Sequence, residues 1–340
     1  MTKKPQPKAK AQPKKKHGSP GTSTAPIAFT ELFAKIGRDE ITEAEVARYF
    51  SVTGPAPGDF VPGLAINTGT VDVSGAEQLA RDIGSDLGFK ALEAVRQKKL
   101  IDSGAPAPNG TIVAEGDSWF NLPDLSIPIK VPPTLVDVLA LTHPINNIAH
   151  WSDKLKDIVN TAEYRDYLKT GKVRFFLFSG GGNDVLGNGK LNEFLNQRAG
   201  GDNDPKNAPK YINPLFSEKL DEVMLLYKLL TDNVRQLSPN TVTLIHGYDF
   251  ALPVLRGPWL GTALKLKGFD PLDNKAISRA VIAVMLTRFN DRLRALATQS
   301  AGRVRYVGLL GTVKNAWWDE LHPDKTAVAK LAAKFDAELP

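Results

Sequence analysis

The feature that most constrains this chain is an alternation that begins at Thr111. Short runs rich in β-branched and aromatic residues recur: "TIVAE" (111–115), "PINNIA" (144–149), "VRFFLF" (173–178), "TVTLIHG" (241–247) and "RVRYVGL" (303–309). Between them lie helical stretches: "TLVDVLALT", "SDKLKDIVN" with "TAEYRDYLK", "FSEKLDEVMLLYKLLTDNVRQL" and "NKAISRAVIAVMLTRFNDRLRALAT". A last helix follows Pro323. A run such as "VRFFLF" is apolar on both of its faces, which suits a strand covered on both sides. Five strands alternating with helices predict a parallel sheet held between helical layers. In sheets of that kind a ligand site gathers outside the carboxyl ends of the strands.

The remainder of the 340 residues divides in two. Residues 1–25 form a Lys- and Pro-rich tail, with seven lysines between Lys3 and Lys16 and no acid. Those lysines account for more than the whole net charge of +6, so the basic surplus belongs to the tail and not to a domain face. A segment so poor in apolar residues cannot offset its ordering entropy. It is either simply solvated or a weak electrostatic tether for an anionic partner such as nucleic acid, lipid or a cell surface. It lacks the apolar run of about 7–15 residues of a secretory signal, so the expected location is cytoplasmic, with non-classical export left open. Residues 26–104 read as a small helical region. In "ITEAEVARYF" Thr42 and Glu45 form a capping-box start, "TGPAPGDFVPG" breaks the helix, and "GAEQLARDIGSDLGFKALEAVRQKKL" is one long amphipathic helix or a pair. Residues 105–340 hold the alternating strands and helices. No run of eighteen apolar residues exists to span a membrane. Without cysteine there is neither disulfide nor thiolate chemistry, and the five histidines form no compact metal motif.

Polar residues follow the strands directly. The first strand delivers Gly116-Asp117-Ser118, where backbone N–H groups at the start of the next segment can stabilise an anion. The third ends in "SGGGNDVLG" and projects Asn183 at the sheet edge. Its glycines do not make a phosphate cradle. "GNGK" is followed by Leu191 instead of Ser or Thr, and a GxGxxG pattern fails at Val185 and Asn192. After the fifth strand comes "WWDELHPD", with Asp319 and His322 three apart on a loop and Pro323 placed to open the last helix. There the Asp can accept from one imidazole nitrogen while the other faces Ser118.

With Ser, Asn, Asp and His each following a strand of one sheet, the chain resembles the SGNH, or GDSL-like, hydrolases in "GDSW", "GGND" and "DELHPD", over roughly residues 111–340. The resemblance implies a three-layer α/β/α flavodoxin-like sandwich with a five-stranded parallel sheet. It implies cleavage of a small-molecule, lipid or carbohydrate ester through an acyl-enzyme, with no metal or organic cofactor. Ser118 would be the nucleophile, His322 the base and acid, and Asp319 its orienting carboxylate. The backbone N–H groups of Ser118 and Ser152, with Asn183, would form the oxyanion hole. A serine hydroxyl needs such a base, an imidazole titrates near neutrality, and each preorganised oxyanion donor contributes about 3–4 kcal/mol. One block departs from the family: "NIAHWSD" places Ser152 where a Gly usually stands. A backbone N–H survives that change unless the position needs positive φ. The departure keeps open a non-catalytic relative that binds acylated or glycosylated ligands. A tethering protein built on the tail and helical region is a third reading.

Trp119, Trp151 and Gly182 are candidate substrate contacts. The two tryptophans form either an aromatic wall or ordinary packing, and Gly182 lies in a glycine run that allows close backbone approach. Trp317 and Trp318 read as core, and Trp259 alone is remote from every block. "NLPDLSIPIKVPPT" is either an apolar lip over the site or a Pro-stiffened connection. His150 and His246 read as hydrogen-bonded structural residues, and Asp249 as a loop or rim residue.

Overall fold

A computed structural model describes residues 25–53, 64–122, 131–151, 153–186 and 190–340. The basic tail, Ser152, most of "TGPAPGDFVPG" and residues 123–130 of the Pro-rich connection lie outside the described residues.

The N-terminal region holds β1 (Ile27–Ala28), α1 (Phe29–Gly37), α2 (Glu43–Tyr49), β2 (Phe50–Val52), β3 (Leu64–Ile66), β4 (Val71–Asp72) and α3 (Glu77–Asp102). The capping box is present: Thr42 caps Glu45 and Glu45 returns the bond to the Thr42 backbone. The long segment is one helix, not a pair. The four strands were not expected. β1 pairs with β4 in parallel and β2 with β3 antiparallel, over only two or three residues each. Runs that short carry no readable period-2 pattern. The apolar faces of α1, α2 and α3 meet in a core built on Leu32, Ile36, Ile41, Val46 and Ala91.

The second region follows the expected alternation: β5 (Ile112–Gly116), α4 (Leu135–Leu139), β6 (Ile145–Asn147), α5 (Leu155–Thr161), α6 (Tyr164–Lys169) and β7 (Phe175–Ser179). It continues with α7 (Gly182–Val185), α8 (Pro214–Leu237), β8 (Val242–His246), α9 (Gly261–Leu266), α10 (Lys275–Gln299), β9 (Val304–Val307) and α11 (Lys325–Asp336). The five strands pair in parallel in the order β6-β5-β7-β8-β9. Every residue of β5 and β7 is buried, as suits their largely apolar runs, and in β5 this includes Glu115. α4 packs with α11, while α8 packs with α5, α6 and α10. The result is an α/β/α sandwich with the doubly wound order 2-1-3-4-5. Its switch point falls between β5 and β7, the strands that carry Ser118 and Asn183 at their ends.

Arg96 of α3 joins the two regions. It pairs with Asp137 at the start of α4 and donates to Asn121 Oδ1 at 2.6 Å and Thr134 Oγ1 at 2.7 Å. Thr134 caps α4 and donates to the Phe120 carbonyl, so α3 is fastened to the turn that begins at Ser118.

Candidate active site

The site begins with the exit from β5. At Gly116, φ is 153°, and a Cβ there would lie 2.2 Å from the Ser179 carbonyl oxygen, so no other residue lets β5 and β7 end this close together. Asp117 then locks the turn. Its N–H donates to Ser179 O, and its carboxylate accepts from Ser179 Oγ at 2.7 Å, Trp119 N at 3.1 Å and the Tyr248 hydroxyl. Its carbonyl receives the N–H groups of Phe120 and Asn121. One buried carboxylate thereby ties the ends of β5, β7 and β8 together and holds Ser118 at the edge.

His322 meets that serine from the opposite side. Its Nε2 lies 2.8 Å from Ser118 Oγ, and its Nδ1 lies 2.7 Å from Asp319 Oδ2. A carboxylate can only accept, so Nδ1 carries the hydrogen and Nε2 is left to receive the Ser118 hydroxyl proton. Asp319 also shapes the loop, with Oδ1 accepting the N–H groups of Leu321 and His322 at 2.7 Å each. His322 is 8% exposed, so the ring is held in protein and not in bulk water. Pro323 lies just before the helix cap Asp324, and α11 starts at Lys325, two residues later than the Pro-first reading.

The residues that position this loop were not legible as functional. Glu320, 1% exposed, accepts the N–H groups of Val254, Trp259, Leu260 and Gly261 at 2.8–3.0 Å. It thereby sets Trp259, remote in sequence, edge-on to the His322 ring at 5.9 Å. Asp249 is equally internal. Its carboxylate takes the N–H groups of Gly311 and Val313 at 2.6 Å each and anchors the segment leading to "WWDELHPD". Tyr248 supplies the hydroxyl on Asp117. The available signal for Tyr248 and Asp249 was their place directly after β8. Glu320 had no such signal, being one of several polar residues in "WWDELHPD".

Trp119 is 5% exposed, donates Nε1 to Leu321 O at 3.0 Å and stacks on His246. It thus braces the loop that carries His322. Trp151 is also buried and sits edge-on to Phe89 of α3. Gly182 is buried against Tyr248, where a Cβ would lie 2.6 Å from the ring. Trp317 is half-buried, but Trp318 is 38% exposed and tilted toward His322, contrary to the expectation that both are core. The Trp317–Pro323 bridge and the Trp318 N–H to His322 carbonyl bond make the loop ribbon-like, so successive side chains face opposite ways.

The other flank is acidic. Asn183, in the first turn of α7, donates Nδ2 to the Asp153 carbonyl at 3.0 Å, which joins the third-strand loop to the segment carrying Ser152. Burial pushes Asp153 from the ordinary 3.8 up to about 7. Burial, with Asp153 and Glu163 nearby, also drives Glu115 well above the usual carboxyl range. His150 is raised: burial opposes its charge, but its contact with Glu163 and the charges of Asp153 and Glu163 outweigh that. His246 is buried behind Trp119, with Nδ1 donating to the Gly247 carbonyl and Nε2 without a hydrogen-bond partner among the described residues. Burial lowers it, so it is kept neutral.

Among the described residues no group of three or more His, Cys, Asp or Glu side chains could hold a metal, and no helix is long and apolar enough to cross a membrane. No protein family matches the chain by its sequence profile, and no curated protein matches it in sequence. In structure the chain is similar to a lipase from a goat rumen metagenome, at 15% identity and a TM-score of 0.44 over 66% of this chain and 95% of that one. It is likewise similar to an extracellular lipase from Streptomyces rimosus, at 13% and 0.42 over 66% and 98%. A carbohydrate acetylesterase family member from Sinorhizobium meliloti matches at 12% and 0.43 over 67% and 96%. Two of these structures are lipases and the third a carbohydrate acetylesterase family member, and the likeness is one of fold.

Proposed function

We propose that the chain is a serine hydrolase cleaving carboxylic esters through an acyl-enzyme, with residues 105–340 as its catalytic domain and 26–104 as an added helical region. The observation that carries this reading is the hydrogen-bond chain from Ser118 Oγ through His322 to Asp319, at 2.8 and 2.7 Å. Ser118 Oγ attacks the ester carbonyl carbon as its proton passes to His322 Nε2. The tetrahedral intermediate collapses, the carbon–oxygen bond to the alcohol breaks, and the imidazolium returns the proton to the departing alkoxide. Water then attacks the acyl carbonyl, gives its proton to Nε2, and releases the acid while Ser118 is restored. Asp319 fixes the tautomer and stabilises the imidazolium in both halves. In this reading the N–H groups of Ser118 and Ser152 and the amide of Asn183 would donate to the oxyanion.

A fluorophosphonate probe tests it. Wild type takes up one equivalent and Ser118→Ala takes up none. A folded wild type that stays unlabelled would instead support the non-catalytic ligand-binding relative.

A further inference from the structure

A cavity of about 240 Å³ lies where the helical region meets the sandwich. Val46, Phe50, Phe89 and Leu92 wall it on the N-terminal side. Leu122, Pro132, Pro133 and Trp151 close it on the other. Leu122, Pro132 and Pro133 also bound the small cleft that contains Ser118 and His322, so a thin apolar wall is shared by the cavity and the nucleophile. Most of the charged groups around the cavity have partners, His150 among them through its contact with Glu163. Arg96 is held by Asp137, Asn121 and Thr134, and Glu43 pairs with Lys99 at 2.9 Å. Glu93 accepts from Gln97 through Oε1 and lies beside Arg96, while its Oε2 has no hydrogen-bond partner among the described residues; burial pushes this carboxyl upward, toward the neutral form that an apolar wall tolerates. With most of its polar groups committed and its walls largely apolar, the space favours hydrocarbon over a sugar, which needs several donors and acceptors of its own.

We infer that this cavity binds the acyl chain of the ester cleaved at Ser118, so that the helical region, absent from the part of the chain carrying the catalytic motifs, sets chain-length preference. The inference rests on the serine hydrolase reading. A methylene needs about the space of a water molecule, roughly 30 Å³, so the cavity takes a chain on the order of eight carbons. Each methylene buried there raises kcat/KM about fourfold.

The test compares p-nitrophenyl octanoate with p-nitrophenyl acetate in wild type and in Ala47→Trp. Ala47 is an exposed residue of α2 at the cavity wall, so the indole enters the space without disturbing the core. Leu92→Trp, from α3, serves as a second variant should the first fail to fold. The octanoate-to-acetate ratio of kcat/KM is expected to fall at least tenfold; a ratio unchanged within twofold overturns the inference and leaves the Ser118 chemistry standing. Decanoate binding to Ser118→Ala by calorimetry gives a readout free of turnover. Binding that weakens at least tenfold on adding Ala47→Trp supports the cavity, and absence of binding overturns it. If wild type hydrolyses neither ester and resists the fluorophosphonate, while decanoate binds in an Ala47→Trp-sensitive way, the hydrolase reading fails and the acyl-binding cavity survives it.

Discussion

The two flanks of the sheet edge around Ser118 are built on different physics. On the histidine flank every buried carboxylate has its partners: Asp117, Asp319, Glu320 and Asp249 each accept two or more hydrogen bonds from nearby backbone or side chains. On the flank of β6 and α5, Glu115 and Asp153 are buried with fewer donors, and burial lifts both of them. The first flank resists movement because each acid would leave unpaired N–H groups if it left. The second holds acids whose ionisation burial opposes, and so it responds to pH.

Breaking the rigid flank has the larger effect. Glu320→Ala leaves four N–H groups of the 254–261 loop without their acceptor. It is expected to cost at least about 3 kcal/mol of stability, read by denaturant unfolding. Ester turnover should fall with it as Trp259 loosens from His322, and a loss under about 0.5 kcal/mol would show that the loop holds itself.

The acidic flank yields a smaller, pH-dependent effect. Asp153 binds its proton more tightly folded than unfolded, since its folded value of about 7 lies above the ordinary 3.8. The folded state therefore holds more protons across that interval, and stability falls as pH rises from about 4 through about 7. His246 acts in the opposite direction: lowered by burial, it contributes stability above its unfolded value, and that contribution is lost as pH falls below about 6.5. Asp153→Asn should remove the part of the fall in Tm between about pH 4 and about pH 7 that Asp153 carries, and leave the His246 contribution in place. An unchanged pH dependence over that interval would mean that Asp153 is ionised there in the folded protein.

Much of this contrast was written in the sequence, for reasons particular to its elements. The five strands were legible as short β-branched and aromatic runs set between helical stretches, and "VRFFLF" is near-continuously apolar, as suits a strand covered on both faces. Ser118 was legible because it follows β5 directly, and Asp319 and His322 because they stand three apart on the loop between the last strand and the last helix; the structure brings Ser118 and Asp319 each within hydrogen-bonding distance of His322. β1 to β4 were not, because pairings of two or three residues depend on tertiary contact and not on periodicity. Glu320 was hidden because its partners are four N–H groups about 60 residues earlier, and backbone donors leave no trace in side-chain identity. Trp318 was misplaced because the direction of a loop side chain follows from the local ribbon geometry, which composition does not encode.

The account stands most directly on the hydroxyl of Ser118, and steady-state hydrolysis of a p-nitrophenyl ester by Ser118→Ala tests it. Loss of the nucleophile is expected to lower kcat by at least about 10⁴-fold with the thermal midpoint close to wild type, because Ser118 is only half-buried and its hydroxyl bonds only to His322 among the described contacts. A folded Ser118→Ala protein that hydrolyses the ester within tenfold of wild type would contradict it.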